Sequence, residues 1–258
     1  MKKSMKNYAK GFLMVSVLAL GWACTEDQDE TFDEPKSSAS LSATVEGENT
    51  NPPELNERII VNGFSTTDFK VGIKEVEMRY AAKADLLAGI GLGGITLNTA
   101  VNASLQSNAS KEQTLILMNG GSVQSETIAE GQTPEGSYQE IDLRLYKNTE
   151  TEESETMHNK SLWIFGQIDG EDSQIWLDQE LLISASAEEE DGVMVDGETA
   201  MELVFDLNKL FEGVDFSTAV DSNADGMIEI GPGSADDNAT ILTQIESNVS
   251  SAVTFRKK

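Results

Sequence analysis

The stretch DSNADGMIEI, residues 221–230, sets oxygen-bearing side chains at alternate positions ahead of a glycine. Asp221, Asn223, Asp225 and Gly226 match the first half of a calcium loop of EF-hand type. In such a loop carboxylate, amide and carbonyl oxygens gather a hard cation and the glycine makes the sharp turn. The pattern assigns Met227 a ligating backbone carbonyl, Ile228 an anchor in the core, and Glu229 a direct or water-mediated contact. The final position, where a bidentate Glu belongs, is Pro232, and no helix pattern precedes the loop. A hard cation takes roughly six to eight oxygens. The missing donors must come from elsewhere, and Asp215 upstream and Asp236 or Asp237 downstream are the nearest. The expectation is a structural calcium site outside any EF-hand pair. The competing reading is an acidic Asx-turn that holds no ion.

Other chemistry is thinly represented. His158 is the single histidine and lies in the polar, acidic stretch TEESETMHNK, where it reads as solvated. Nucleophilic catalysis by Ser or Cys needs a positioned His base, and zinc sites need several His or Cys. A pair of carboxylates suffices for glycoside hydrolysis, but no pair is singled out among 45 acids. Gly89, Gly91 and Gly94 spell G-x-G-x-x-G without the strand before and helix after that give a dinucleotide fingerprint its meaning, so the stretch reads as a loop. Trp163, Trp176, Tyr138 and Tyr146 would stack on sugar rings if exposed, but each lies in an alternating segment, where core packing is the simpler expectation. EEEDG, residues 188–192, reads as a solvated loop.

The N-terminus supplies an address. Lys2, Lys3, Lys6 and Lys10 precede an apolar run from Gly11 to Ala23, the layout of a secretory signal. That run is shorter than the ~20 residues a membrane-spanning helix requires. Gly21-Trp22-Ala23-Cys24 follows, and Cys24 is the only cysteine, so it forms no internal disulfide. The tetrapeptide resembles a bacterial lipoprotein box, in which cleavage before the cysteine precedes attachment of diacylglycerol to its sulfur. Gly21 and the bulky Trp22 depart from the usual box. The alternative is a non-lipidated signal peptide with a chance cysteine. Glu26, Asp27, Asp29, Glu30, Asp33 and Glu34 come next. They resemble the acidic tag of surface-exported Bacteroidota-type lipoproteins, and by composition they read as a solvated, disordered tether.

The formal net charge is −27, and losing a leader with four lysines and no acid deepens it to −31. Phosphate recognition needs clustered Lys and Arg, so nucleic acid is excluded as a partner. Electrostatic docking on anionic lipid is disfavoured for the same reason. With 39% hydrophobic residues, the remainder has enough apolar mass for a folded core.

Short alternating segments separated by turns fill that remainder. SASLSATVEG places Leu41, Ala43 and Val45 on one face, and RIIVNG is a short strand. FKVGIKEVEMRY carries Phe69, Val71 and Ile73 in phase, then Val76, Met78 and Tyr80 shifted by one, which predicts a β-bulge near Lys74-Glu75. TPEGSYQEIDLRLY shows another slip along Tyr138, Ile141, Leu143 and Leu145. SLWIFGQIDGEDSQIWLDQ reads as a hairpin of two aromatic-bearing strands around Asp169-Gly170-Glu171-Asp172. DDNATILTQIESNV predicts a helix near 237–248, capped by Asp237 or Asn238 and buried through Ile241, Leu242 and Ile245. The fold class expected is all-β: an antiparallel β-sandwich with one or two short helices. The expected domains are a signal peptide at 1–23, a tether at 24–38 and one sandwich domain at 39–258.

KVGIKEVEMRY, TPEGSYQEIDLRLY, MELVFDLNKLF and DSNADGMIEI with the helix after it together resemble a family of exported bacterial lipoproteins, the domain of unknown function 4382 family. The matching pieces span roughly residues 40 to 250, and the long stretches around 81–110 and 147–160 depart from the pattern. The resemblance implies a β-sandwich on the cell envelope and no established activity. The expectation is a lipid-anchored outer-membrane lipoprotein, surface-exposed or on the periplasmic face, that binds or scaffolds without catalysis. Its partner would be an unidentified protein or glycan. The alternatives are a carbohydrate-binding lipoprotein of a nutrient uptake system, which requires two of the named aromatics on one exposed face, and a carboxylate-based hydrolase.

Overall fold

FSTTDFKVGIKEVEMRYAA becomes a single strand of 19 residues, Phe64–Ala82, in the computed structural model. The structure describes residues 35–48, 58–82, 100–103 and 111–258. The expected leader, Cys24, the expected tether up to residue 34 and the GIGLGG stretch lie outside the described residues.

In chain order the strands are β1 Lys36–Glu46, β2 Ile59–Val61, β3 Phe64–Ala82, β4 Ala100–Ala103, β5 Gln113–Asn119, β6 Ser122–Val123, β7 Glu126–Pro134, β8 Gly136–Leu145, β9 Leu162–Ile168, β10 Glu171–Leu177, β11 Leu182–Ala187, β12 Val193–Val195, β13 Thr199–Asp206, β14 Met227–Ile230 and β15 Val253–Lys257. Among the described residues two α-helices join them, α1 Leu207–Leu210 and α2 Ala239–Asn248. The fold is all-β and sandwich-like. The main path runs β14-β10-β9-β3-β8-β11-β15-β13-β1-β7.

Strand β3 organises the sheet because it is long enough to serve two sets of partners. Residues 64–73 pair with β9 and β5, and residues 73–82 with β8 and β4. Between the halves the register with β8 shifts from Lys74 to Glu77, and Glu75 takes φ +53°. The predicted bulge therefore exists. It returns Val76, Met78 and Tyr80 to the buried face already used by Phe69, Val71 and Ile73. One buried cluster collects the inward side chains, with Phe69 of β3 meeting Phe205 of β13 at 5.7 Å between ring centroids. Beside them Phe64, Phe211 and Phe216 pack as a triad with centroids 5.1–5.5 Å apart.

The sheet is mixed, not purely antiparallel. β1 runs parallel to β13, β10 to β14 and β11 to β15. Hairpin turns dictate antiparallel pairing only for strands adjacent in sequence, and these three pairs are far apart along the chain. β1 begins at Lys36, so the last residues of the expected tether belong to the sheet. The predicted helix starts at Ala239 behind Asn238, and its buried residues are Ile241 and Ile245, with Leu242 only half-buried. Asn238 stands at the N-cap, one of the two residues expected there, but its side chain makes no capping bond to the helix. The acids of the EEEDG loop are exposed, as expected, and two of them also bond to the neighbouring strand. Glu188 accepts from Thr254 Oγ1 and Glu189 from the Lys257 amide, tying the loop to β15.

Candidate functional site

The acidic loop enters from a 3-10 turn at Phe216–Thr218 and leaves into β14. Asp221 Oδ2 accepts from the Gly226 amide at 2.9 Å and its Oδ1 from the Asp225 amide at 3.3 Å. Asn223 Oδ1 accepts from the Asp225 amide at 2.9 Å, and Asp225 Oδ1 from the Met227 amide at 3.0 Å. Ala224 and Gly226 take φ +58° and +88°, which wraps the backbone around these three side chains.

Asp236 is buried and faces the loop's backbone. It accepts from the amides of Ser222 and Asn223 at one oxygen and from the Glu229 amide at the other. Asn238, also buried, clasps the same turn. It accepts from the Val220 amide and donates to the carbonyls of Val220 and Glu229. That use explains why its side chain makes no capping bond to α2. Asp237 is exposed, and Asp215 is engaged in capping the 3-10 turn. Glu229 turns aside to accept from Gln174 Nε2 at 2.8 Å.

The donors of Asp221, Asn223, Asp225 and the Met227 carbonyl suit a hard cation in chemical type. Among the described residues no three His, Cys, Asp or Glu groups converge in a metal-binding arrangement. A cation here would rest on mixed donors completed by water.

Gln174 leads from the loop to an aromatic face. In β9 the residues Leu162, Ile164 and Ile168 point inward and are buried, so Trp163, Phe165 and Gln167 point outward, half-buried. In β10 the same alternation turns Gln174 and Trp176 outward. The two-residue turn Asp169-Gly170, with φ +52° and +89°, fixes the register of the hairpin and sets Trp163 opposite Trp176. Rows then run across the sheet: Lys70, Trp163 and Trp176 in one, and Asp68, Phe165, Gln174 and Glu229 in the next.

Trp163 stacks on Phe165 at 5.9 Å with an interplanar angle of 13°, and its Nε1 donates to Gln174 Oε1 at 3.2 Å. Lys70 Nζ lies 5.1 Å from the Trp163 ring centroid, and Lys160 Nζ lies 5.6 Å from that of Trp176. Burial pushes the Lys160 ammonium below its usual range, partly opposed by the charge of Glu229.

Of the four aromatics named from the sequence, Trp163 and Trp176 thus share one outward face and are not core residues. Tyr138 and Tyr146 are buried. Phe165, Lys70, Lys160 and Gln174 were not singled out. Alternation within β9 and the Asp-Gly turn carried the signal for Phe165 and Gln174. The lysines are brought in by β3 and by the loop before β9.

His158 is not solvated. It is half-buried, with Nδ1 donating to the Thr151 carbonyl and Nε2 accepting from Asn159 Nδ2, both at 2.7 Å, so it locks its own loop. Glu130 and Glu198 border an open dish of about 460 Å³ with Ser38, Ser40 and Gln132, and both carboxylates are exposed.

No family model and no curated protein matches the sequence. Among solved structures the chain is similar to MbnP from Methylosinus trichosporium, with a TM-score of 0.41 and 11% identity over 87% of this chain and 99% of that one.

Proposed function

We propose that this protein is a lipid-anchored, non-catalytic binding module of the bacterial cell envelope, that its binding face is the outward side of β9 and β10, and that its ligand is a carbohydrate. The observation that carries the ligand class is the in-register pair Trp163 and Trp176 on a face turned away from the core. Indole faces meet the C–H face of a sugar ring well because they are large, apolar and flat, while neighbouring amides such as Gln174 and Gln167 supply hydrogen bonds for hydroxyls.

The anchor rests on the basic leader, the short apolar run and Cys24. Each acyl methylene inserted in lipid contributes about 0.8 kcal/mol, so several chains hold the protein at the membrane. Placement on the outer membrane, facing outward, follows from the acidic tag behind Cys24 and from the resemblance to exported lipoproteins. In this reading calcium is structural. It would be held by Asp221, Asn223, Asp225 and the Met227 carbonyl, stiffening the loop that leads into β14.

Two experiments test the proposal. The full chain is challenged with a panel of soluble polysaccharides in affinity electrophoresis beside Trp163→Ala and Trp176→Ala. Retardation of the wild type that both variants lose supports it, and no retardation by any polymer refutes the ligand class. Thermal unfolding with excess calcium and then chelator, beside Asp225→Ala, tests the ion. Calcium at a hundred times its Kd stabilises a folded site by about 2.7 kcal/mol, and superimposed curves would remove calcium from the account.

A further inference from the structure

Acids outnumber bases 45 to 18 in this chain, and most of its described cations are spent on carboxylates. Lys74 bonds to Glu180, Lys147 to Asp178, Arg144 to Glu75, Arg79 to Glu140 and Asp142, and Arg256 to Glu46 and Glu202. Lys70 and Lys160 are different. Among the described residues neither forms an ion pair, and both rest against the paired tryptophans. The Lys160 ammonium makes one hydrogen bond, to the Thr156 carbonyl at 3.0 Å. The acids on the same face are already engaged. Asp68 accepts from the Gly120 amide and Thr67 Oγ1, Asp172 from Gln167, and Glu229 from Gln174. One row of this face therefore offers indole surface with an ammonium at each tryptophan, and neither ammonium is within ion-pair distance of a described carboxylate, although the charge of Glu229 acts on Lys160.

Resting on the reading of this face as a carbohydrate site, we infer that its ligand is an acidic glycan: a chain containing hexuronate residues, whose ring faces lie on Trp163 and Trp176 and whose carboxylates pair with Lys70 and Lys160. Charge complementarity at close range selects this ligand, since each carboxylate there gains an ammonium donor while the sugar keeps its apolar contact. A neutral glycan would leave both ammoniums as they stand and gain only the stacking. The long-range field of an acidic protein opposes approach of a polyanion, so the preference belongs to the local contacts and strengthens when salt screens the distant charges.

The test is isothermal titration of the full chain in detergent with an oligogalacturonate and with the same oligomer after reduction of its carboxyl groups, which keeps the ring faces and removes the charge. Wild type is compared with the double variant Lys70→Gln, Lys160→Gln and with Trp176→Ala, each first shown to melt cooperatively. Binding of the acidic oligomer at least tenfold tighter than the reduced one, with the preference erased in the lysine variant and binding lost in Trp176→Ala, is the expected result. Equal binding of both oligomers, lost only in Trp176→Ala, overturns the acidic ligand and leaves the carbohydrate reading standing. No binding of either oligomer by the wild type overturns this inference, and if the neutral polymers also fail to retard the chain the broader reading falls with it.

Discussion

Gly231 lies directly against the indole of Trp176: a methyl group built on its α-carbon would sit 2.2 Å from two ring carbons. The residue continues β14 past Ile230, alongside β10, so the ring occupies the space a side chain would need. Gly231→Ala must push the indole outward or spread the two strands. Overpacking of this kind costs about 1–3 kcal/mol. Urea unfolding should show that loss, together with a red shift of tryptophan emission as the ring gains solvent. An unchanged midpoint would mean that Trp176 moves freely and is not a preformed platform.

Gln174 links the tryptophan row to the acidic loop, accepting from Trp163 Nε1 and donating to Glu229 Oε1. Gln174→Leu deletes both bonds while keeping side-chain bulk. Each is worth about 1 kcal/mol net, so equilibrium unfolding should register a loss of roughly 2 kcal/mol. A Trp163→Phe background should recover only the Trp163 share in a double-mutant cycle.

Asn238 satisfies three backbone groups from one buried amide. Asn238→Asp keeps the acceptor for the Val220 amide but turns a carboxylate toward the carbonyls of Val220 and Glu229. It should therefore destabilise at least as much as Asn238→Ala, by roughly 2–3 kcal/mol, because buried acceptors facing acceptors lose more than a missing group. Thermal melts of the two variants at neutral pH decide this, and a near-wild-type Asp variant would contradict the assigned bonds.

Lys160 predicts a pH dependence of defined sign. Burial lowers its folded-state pKa below the ordinary 10.5. Below the folded value both states carry the proton and the penalty for burying the charge is constant. Between the folded value and 10.5 the unfolded chain holds a proton that the folded one has released, so this residue's contribution to stability rises with pH in that window. The difference in unfolding free energy between wild type and Lys160→Met should shift in the wild type's favour from pH 8 to pH 10.5. A difference that stays flat across that window would show that the ammonium is as well solvated in the folded protein as in the unfolded chain.

The strands were legible wherever one face was buried. Alternation announced Leu41, Ala43 and Val45 in β1, and the phase slip after Ile73 announced the bulge at Glu75, because misphasing would have pointed Val76, Met78 and Tyr80 at water. The hairpin of β9 and β10 was readable but its register was not, because the expected turn Asp169-Gly170-Glu171-Asp172 is two residues too long: Asp169-Gly170 takes the left-handed backbone of a two-residue turn, and Glu171 and Asp172 already pair with β9. The helix at Ala239–Asn248 and its N-cap residue Asn238 were readable from apolar spacing and residue type, whereas the use of the Asn238 amide was not, because it is spent on the loop at Val220 and on β14.

By itself the sequence determined what is local: strand periodicity, turn chemistry, the oxygen-rich spacing at Asp221, Asn223 and Asp225, and the run of lysines and apolar residues ahead of Cys24. Only the tertiary structure decided which way Trp163 and Trp176 face, that β10 lies parallel to β14, and that Glu229 serves Gln174 while Asp236 serves the loop. The physical reason is one of distance along the chain. Backbone conformation follows from neighbours a few residues away, but the side of a strand that becomes core is fixed by whichever distant strands cover it. The partner of a polar side chain is likewise whatever the closed sheet leaves within hydrogen-bonding reach.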